Sequence, residues 1–286
     1  MDLSDIQEQF RRWIPLVLTI MGGGVGAAFG WFISPSFPIG TSVVGFGIGF
    51  TGMLLFIAYI NISLSSLSNS VNKQFNYLAK QIHGTETELR SMINVRPQLG
   101  QTFVPFGGWS VDGRFAEILL EQIRKTRAEI ILECGSGTST ILVAKYLKQI
   151  GSGQVLALEH EKKYASITRN QLSECGLQEW VSVIETPLRE WPLNGQAMPW
   201  YDFQPKDYLS GQIDILIVDG PPGKIGPLAR YPAVPVLKSW LDTGSVIILD
   251  DGNREGEKEI AERWIEELNA TSEFDPRGKG TWIIKI

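Results

Sequence analysis

Two long apolar runs, Trp13–Ile33 and Ile39–Ile60, dominate the start of the chain, and neither contains a charged residue. Each matches the roughly 20 residues that a helix needs to cross a bilayer. Ser34-Pro35-Ser36-Phe37-Pro38 between them reads as a hairpin connection. Gly22, Gly26 and Gly30 recur every four residues, as do Gly45 and Gly49. Such small-residue faces let membrane helices approach closely, whereas in a water-soluble helix so many glycines would be destabilising. Residues 1–62 are therefore expected to form an α-helical transmembrane hairpin with spans at about 13–33 and 39–60. A cleaved leader fits poorly, because Asp2, Asp5 and Glu8 precede the first run and a second run follows. Arg11 and Arg12 flank the first span, Lys73 and Lys80 follow the second, and the connection is uncharged. The positive-inside rule then places both termini, and whatever follows the spans, in the cytoplasm.

Residues 63–96 are polar and mildly periodic. Leu64, Val71 and Leu78 stand at seven-residue spacing, as do Phe75, Ile82 and Leu89. The pattern suits a coiled-coil stalk that joins copies of the chain into a homo-oligomer, or a single amphipathic helix lying on the domain or the bilayer surface. Pro97 closes this segment, and a boundary is expected at Val95–Gly100, leaving 97–286 as a separate domain.

Beyond it the period changes. Short apolar runs at Ile130–Leu132, Gln154–Leu158, Val181–Glu185, Ile213–Val218 and Ser245–Leu249 read as strands. They alternate with amphipathic stretches at Asp112–Lys125, Thr140–Leu147, Lys162–Cys175, a segment ending at Leu241, and Glu257–Leu268. Thr281–Ile286 closes the chain as a strand, with a short partner near Ser272–Phe274. This alternation predicts an α/β fold with a largely parallel sheet. Two stretches stand outside it. In Thr102–Trp109, Phe106 and Trp109 either cover a ligand or simply pack; in the insertion Asn194–Gly211, Trp200 and Tyr201 either line a pocket or anchor a solvated loop.

The candidate chemistry lies where strands end. Glu133-Cys134-Gly135-Ser136-Gly137-Thr138-Ser139 follows the first strand and opens a helix. Glycines let such a turn approach a ligand without a Cβ in the way, and the helix N-terminus offers free N–H groups to a negative group. Glu159 ends the second strand, roughly 20 residues on, the interval at which an acidic residue meets a nucleoside ribose. Asp219 precedes Gly220-Pro221-Pro222-Gly223, a sharp exit that leaves its carboxylate at the sheet's carboxyl edge, and Asp250-Asp251 follow the fifth strand. The acidic balance, a net charge of −5 and a pI of about 5.3, argues against a nucleic-acid partner. Two cysteines, Cys134 and Cys175, make no disulfide framework, and two histidines make a histidine-rich zinc site untenable.

Taken together, ECGSGTST, LEHE, VDGPPG and LDDGNREGE, within residues 105–286, resemble the class I S-adenosylmethionine-dependent methyltransferases. The resemblance implies a seven-stranded Rossmann-like sheet with helices on both faces and a last strand running antiparallel. It implies S-adenosylmethionine as cofactor, held by Glu133, Gly135, Ser136, Gly137, Ser139, Glu159, His160, Thr186, Leu188 and Asp219. Asp219 and Asp250 become the candidate catalytic bases for a hydroxyl acceptor. The layout also looks like that of catechol-type O-methyltransferases, in which Asp219, Asp250 and Asp251 would hold Mg²⁺. Those enzymes have an asparagine as the final ligand, and here Asp251 stands instead. The same aspartates could cap the following turn and bind Arg254. The expected protein is thus a membrane-anchored methyltransferase facing the cytoplasm, acting on a small-molecule, sugar or lipid-linked acceptor. A nucleoside-binding membrane scaffold without turnover is the first rival. A nicotinamide-dependent oxidoreductase is the second, disfavoured because Thr140 stands where a dinucleotide fingerprint needs a third glycine.

Overall fold

The computed structural model describes residues 39–99, 111–193 and 195–286. The expected first span, the connection Ser34–Pro38 and the entry loop Thr102–Trp109 lie outside the described residues. The chain divides into two units, Met1–Lys80 and Gln81–Ile286.

Helix α1, Ile39–Leu99, runs for 61 residues without a break. It passes through the expected end of the second span near Ile60 and takes in all of 63–96, with Pro97 inside its last turn. Within the described residues it is the one helix apolar and long enough to cross a membrane, by an 18-residue window of mean hydropathy 1.4 that lies within Thr51–Pro97 and is unburied. Leu64, Val71, Phe75, Leu78, Ile82 and Leu89 are all exposed along it.

The second unit starts earlier than the composition suggested. It begins at Gln81, inside α1, upstream of the expected boundary at Val95–Gly100. The reason is packing: Val95 is fully buried in the hydrophobic core, and Glu88 accepts the Gly113 N–H at 2.6 Å. Ser91 and Asn94 donate to Glu117 at 2.8 and 2.7 Å. The polar look of residues 81–96 thus conceals one side that belongs to the core.

From there the elements run α2 (Gly113–Thr126), β1 (Ile130–Cys134), α3 (Thr138–Ile150), β2 (Gln154–Glu159), α4 (Lys162–Glu174) and β3 (Val181–Glu185). Next come β4 (Leu188–Leu193), β5 (Gln196–Tyr201), β6 (Ile215–Val218), α5 (Ala233–Leu237), β7 (Val246–Leu249), α6 (Glu255–Leu268), β8 (Thr271–Asp275) and β9 (Thr281–Lys285). Asp112 caps α2, accepting the Phe115 N–H at 2.7 Å, which satisfies one of the orphan donors of its first turn. Seven strands form one sheet in the order β3-β2-β1-β6-β7-β9-β8, parallel except where β9 pairs antiparallel with β7 and β8. The expected seven-stranded, Rossmann-like sheet is present, with its antiparallel final strand. β4 and, at the start of the insertion, β5 make a separate antiparallel hairpin in which Trp200 and Tyr201 are fully buried and anchor no solvated loop.

Side chains alternate between the two faces of the sheet, as a pleated strand requires. Ile131, Val155, Ile215 and Ile248 meet Phe115, Leu142 and Leu172 from α2–α4 on one face. Leu132, Leu158, Val218 and Leu249 meet Trp200, Tyr231, Val234 and Trp264 from the hairpin, α5 and α6 on the other. Because both faces are covered, the central strands are continuously apolar until they reach the carboxyl edge.

Candidate active site

Strand register decides which residues stand abreast at that edge. Cys134 pairs with Leu158 on one side and Val218 on the other, and Val218 pairs with Leu249. The next residues, Gly135, Glu159, Asp219 and Asp250, therefore emerge side by side where the parallel strands end. The order reverses between β1 and β6, so this is also the switch point at which open α/β sheets bind ligands.

On the β1–β2 side, Gly135 has φ +111°, in the left-handed region that favours glycine, and its N–H donates to Leu158 O at 2.9 Å. A Cβ on Gly137 would meet nothing within 4 Å, so the turn's backbone is bare on that side. Glu133 is 1 % exposed and accepts hydroxyls on both oxygens, from Ser139 and, at 2.7 Å, from Thr140. Thr140 Oγ1 in turn accepts the Gly137 N–H at 2.9 Å. Burial pushes the Glu133 carboxyl up to about 7; the two hydroxyls oppose that shift, and Asp219 and Glu159 add to it.

Glu159 is 5 % exposed, accepting the Glu161 N–H at 2.9 Å and the Ser136 hydroxyl at 3.1 Å. Ser136 Oγ also lies 3.2 Å from Thr168 Oγ1. Burial alone would raise the Glu159 pKa, but the adjacent imidazole of His160, the Glu161 N–H and Ser136 together hold it below the ordinary value. His160 Nδ1 is 3.2 Å from Glu159 Oε1, and its ring stands edge-on to Tyr201. Thr186 sits beyond, its N–H on Glu159 O and its hydroxyl on Asp202 O, both at 2.8 Å. Leu188 packs half-buried against the hairpin-side core.

On the β6–β7 side, Asp219, Asp250 and Asp251 each offer an oxygen within 4.8 Å of the others. Arg230, whose side chain is 4 % exposed, reaches into this group from the turn before α5. Its NH2 donates to Asp219 Oδ1 at 3.1 Å and Asp251 Oδ2 at 2.8 Å, and its NH1 to Asp250 O at 2.9 Å. Burial works against the charged guanidinium, yet Asp219, Asp251 and Glu257 outweigh it and its pKa is raised. Asp219 keeps 36 % of its side chain exposed; desolvation of the part that is covered raises its pKa, with Arg230 opposing. Asp250 is 1 % exposed, its Oδ1 has no partner, and burial beside Asp219 and Asp251 holds its pKa well above the ordinary range. Arg254 binds Asp251 Oδ2 at 2.9 Å, the turn-capping contact expected for this arginine. The donor set is one a hard cation would accept, but the oxygens of Asp219 and Asp251 already face a buried guanidinium nitrogen. With Arg230 there, these residues do not fit a divalent ion.

All the expected site residues gather along this edge except Leu188, which opens the hairpin. Two others were missed. Thr140 ties Glu133 to the turn, and its place inside ECGSGTST was the available signal. Arg230 lies in Ala229-Arg230-Tyr231-Pro232, with no local cue to partners 11 and 21 residues away. Tyr201, a pocket candidate from the sequence, has its Oη buried without a partner, 2.6 Å from where a Cβ on Gly220 would stand.

A family model described as a methyltransferase domain matches residues 132–252, from mid-β1 to the loop after β7. Among solved structures, a candidate caffeoyl-CoA O-methyltransferase from Staphylococcus aureus aligns with a TM-score of 0.50 at 15% identity, over 69% of this chain and 100% of that one. The fold is a methyltransferase fold. An O-methyltransferase from Bacillus cereus, solved with S-adenosylhomocysteine, aligns with a TM-score of 0.47 at 18% identity, over 69% of this chain and 90% of that one. No curated protein matches the sequence.

Proposed function

We propose that this chain is a membrane-anchored methyltransferase that uses S-adenosylmethionine to methylate an oxygen of an acceptor at the cytoplasmic face of a bilayer. The observation that carries the reading is the bare glycine turn between two acidic side chains, Glu133 and Glu159, at adjacent strand ends, within the segment that matches the methyltransferase domain. The donor set suits the cofactor: Glu159 keeps its charge and can accept the two hydroxyls of a ribose, while Glu133 brings a carboxylate under the turn. Gly135 and Gly137 admit the ligand close to the backbone, Ser136, Ser139 and His160 frame it, and Thr186 and Leu188 flank the far end. When bound, S-adenosylmethionine supplies a methyl group on a positively charged sulfur, and transfer quenches that charge. The protein's tasks are alignment, worth about 7–11 kcal/mol at best, exclusion of water, and removal of the acceptor's proton. Asp219 is suited to the last task, because its carboxylate is the partly exposed one and its raised pKa makes it a stronger base. Asp250 stands behind it as the second candidate base.

The apolar, unburied stretch of α1 supports a membrane anchor, and Arg11, Arg12, Lys73 and Lys80 support the cytoplasmic orientation. Tethering favours a lipid, a lipid-linked sugar or a membrane protein as the acceptor.

The test is calorimetric titration of the full chain in detergent with S-adenosylhomocysteine. Micromolar binding that Glu159→Ala abolishes is the expected result, with no binding of NAD. Absence of binding to folded protein would overturn the reading in favour of a membrane scaffold.

A further inference from the structure

We propose that Arg230 is the resident cation of the acidic edge: its guanidinium takes the charge-balancing position among Asp219, Asp250 and Asp251, so the site works without a divalent metal and closes itself to one.

Three carboxylates with oxygens inside 4.8 Å would by themselves invite a hard cation. Left unbalanced, they would also repel one another. One guanidinium nitrogen bridges two of them, at 3.1 Å to Asp219 and 2.8 Å to Asp251. A second nitrogen holds the main chain of the third at Asp250 O, 2.9 Å away, and lies 3.9 Å from Glu257 Oε1. A guanidinium is always charged and fixed in shape, so these contacts define a permanent position for the positive charge. Arg230 is also enclosed, with a side chain 4 % exposed. It cannot swing into solvent to admit a competitor without breaking its contacts to Asp219 and Asp251, the latter then left to the exposed Arg254. A divalent ion binding the same oxygens at about 2.0–2.6 Å would stand next to this guanidinium in a poorly solvated space, where like charges repel strongly.

The local backbone agrees: the chain accepts left-handed backbone at Leu228 (φ 53°) and Asp251 (φ 59°), the turns that carry the two ends of the Arg230–Asp251 pair. Arg230 is on this account a positioning residue: it fixes the orientation of Asp219, the carboxylate that reaches the open side. The proposal concerns the charge balance of the edge and does not depend on which small molecule occupies the glycine turn.

The experiment titrates the full chain in detergent with Mn²⁺, reading free ion by electron paramagnetic resonance. Wild type and Asp251→Asn are expected to give the same titration, with no melting-temperature rise on adding Mn²⁺ to wild type. Arg230→Met should gain one Mn²⁺ site at least about tenfold tighter than any in wild type, lost again when Asp251→Asn is added. Arg230→Lys, which keeps a cation, should gain none. A wild-type Mn²⁺ site that Asp251→Asn abolishes would overturn the proposal, as would a folded Arg230→Met protein that binds no Mn²⁺. Should Arg230→Met fail to fold, the comparison of wild type with Asp251→Asn decides alone. None of these readouts needs the cofactor, so failure here and failure of the methyltransferase reading are separable.

Discussion

The two halves of the sheet's carboxyl edge treat their carboxylates in opposite ways. On the β1–β2 side, Glu133 and Glu159 are met by hydroxyls, a backbone N–H and an imidazole. On the β6–β7 side, Asp219 and Asp251 are met by a buried guanidinium. Hydroxyl and N–H donors stabilise a carboxylate without cancelling its charge; a guanidinium cancels it. The first half thus keeps the charge of Glu159 and gains that of Glu133 as pH rises past about 7, while the second is internally balanced and presents Asp219 in a fixed orientation.

The sharpest way to break this contrast is to remove the guanidinium. Arg230→Ala removes the buried cation from Asp219, Asp251 and the Asp250 main chain, leaving Asp251 to the exposed Arg254, and should destabilise the second unit by about 3–5 kcal/mol, read by urea unfolding. A smaller effect comes from the residue that separates the halves. Gly220→Ala puts a Cβ 2.6 Å from Tyr201 Oη and 3.2 Å from Cys134 O, an overpacking expected to cost about 1–3 kcal/mol. Tyr201→Phe removes the clashing oxygen and, since that hydroxyl has no partner, should be close to neutral alone and restore much of the loss in the double variant.

The glycine-turn half is sharpened by pH. Glu133 has its folded pKa raised from 4.5 to about 7, so the folded state holds a proton that the unfolded chain has released between those values. This carboxyl therefore imposes no penalty below about 4.5, and its contribution to stability falls as pH rises to about 7 and is level above it. In the same window the carboxylate that a cationic ligand would favour becomes available. Affinity for S-adenosylmethionine, whose sulfur is cationic, should rise severalfold from pH 6 to pH 8 by calorimetry, and Glu133→Gln should flatten that rise. The smallest effect is expected at the rim. Arg254 approaches Asp251 Oδ2 as closely as Arg230 does, 2.9 against 2.8 Å, but its side chain is 57 % exposed. Arg254→Gln should cost under about 1 kcal/mol in the same urea assay. Equal losses for the two arginines would remove burial as the basis of the contrast.

Much of the β1–β2 half was legible in the sequence, because its chemistry is local. A strand, two glycines and an acid at each strand end fall within one stretch, and the interval to Glu159 carries the ribose expectation. Asp219 and Asp250 were legible as strand ends for the same reason. Arg230 was not, since its partners end the strands before and after it, 11 and 21 residues away, and only the fold brings them close. The β4–β5 hairpin was hidden by Pro192 and Pro199, which argue against strands in general but are tolerated where a two-stranded ribbon leaves N–H positions unpaired. The packing of the end of α1 was not legible either, because a helix that is polar on most sides and buries Val95 on one reads as a linker.

That helix has a consequence for how the protein could have been assembled or could be recombined. Proteins that join an apolar segment to an enzyme-like fold through a loose tether can exchange either part at the tether. Here the seam visible in the sequence, at Pro97, would sever the clasp of Glu88 on Gly113 and extract Val95 from the interior. The natural cutting point lies upstream at Gln81, in mid-helix. Any transplant of the folded unit onto another carrier has to bring those last turns of α1 along, in helical phase.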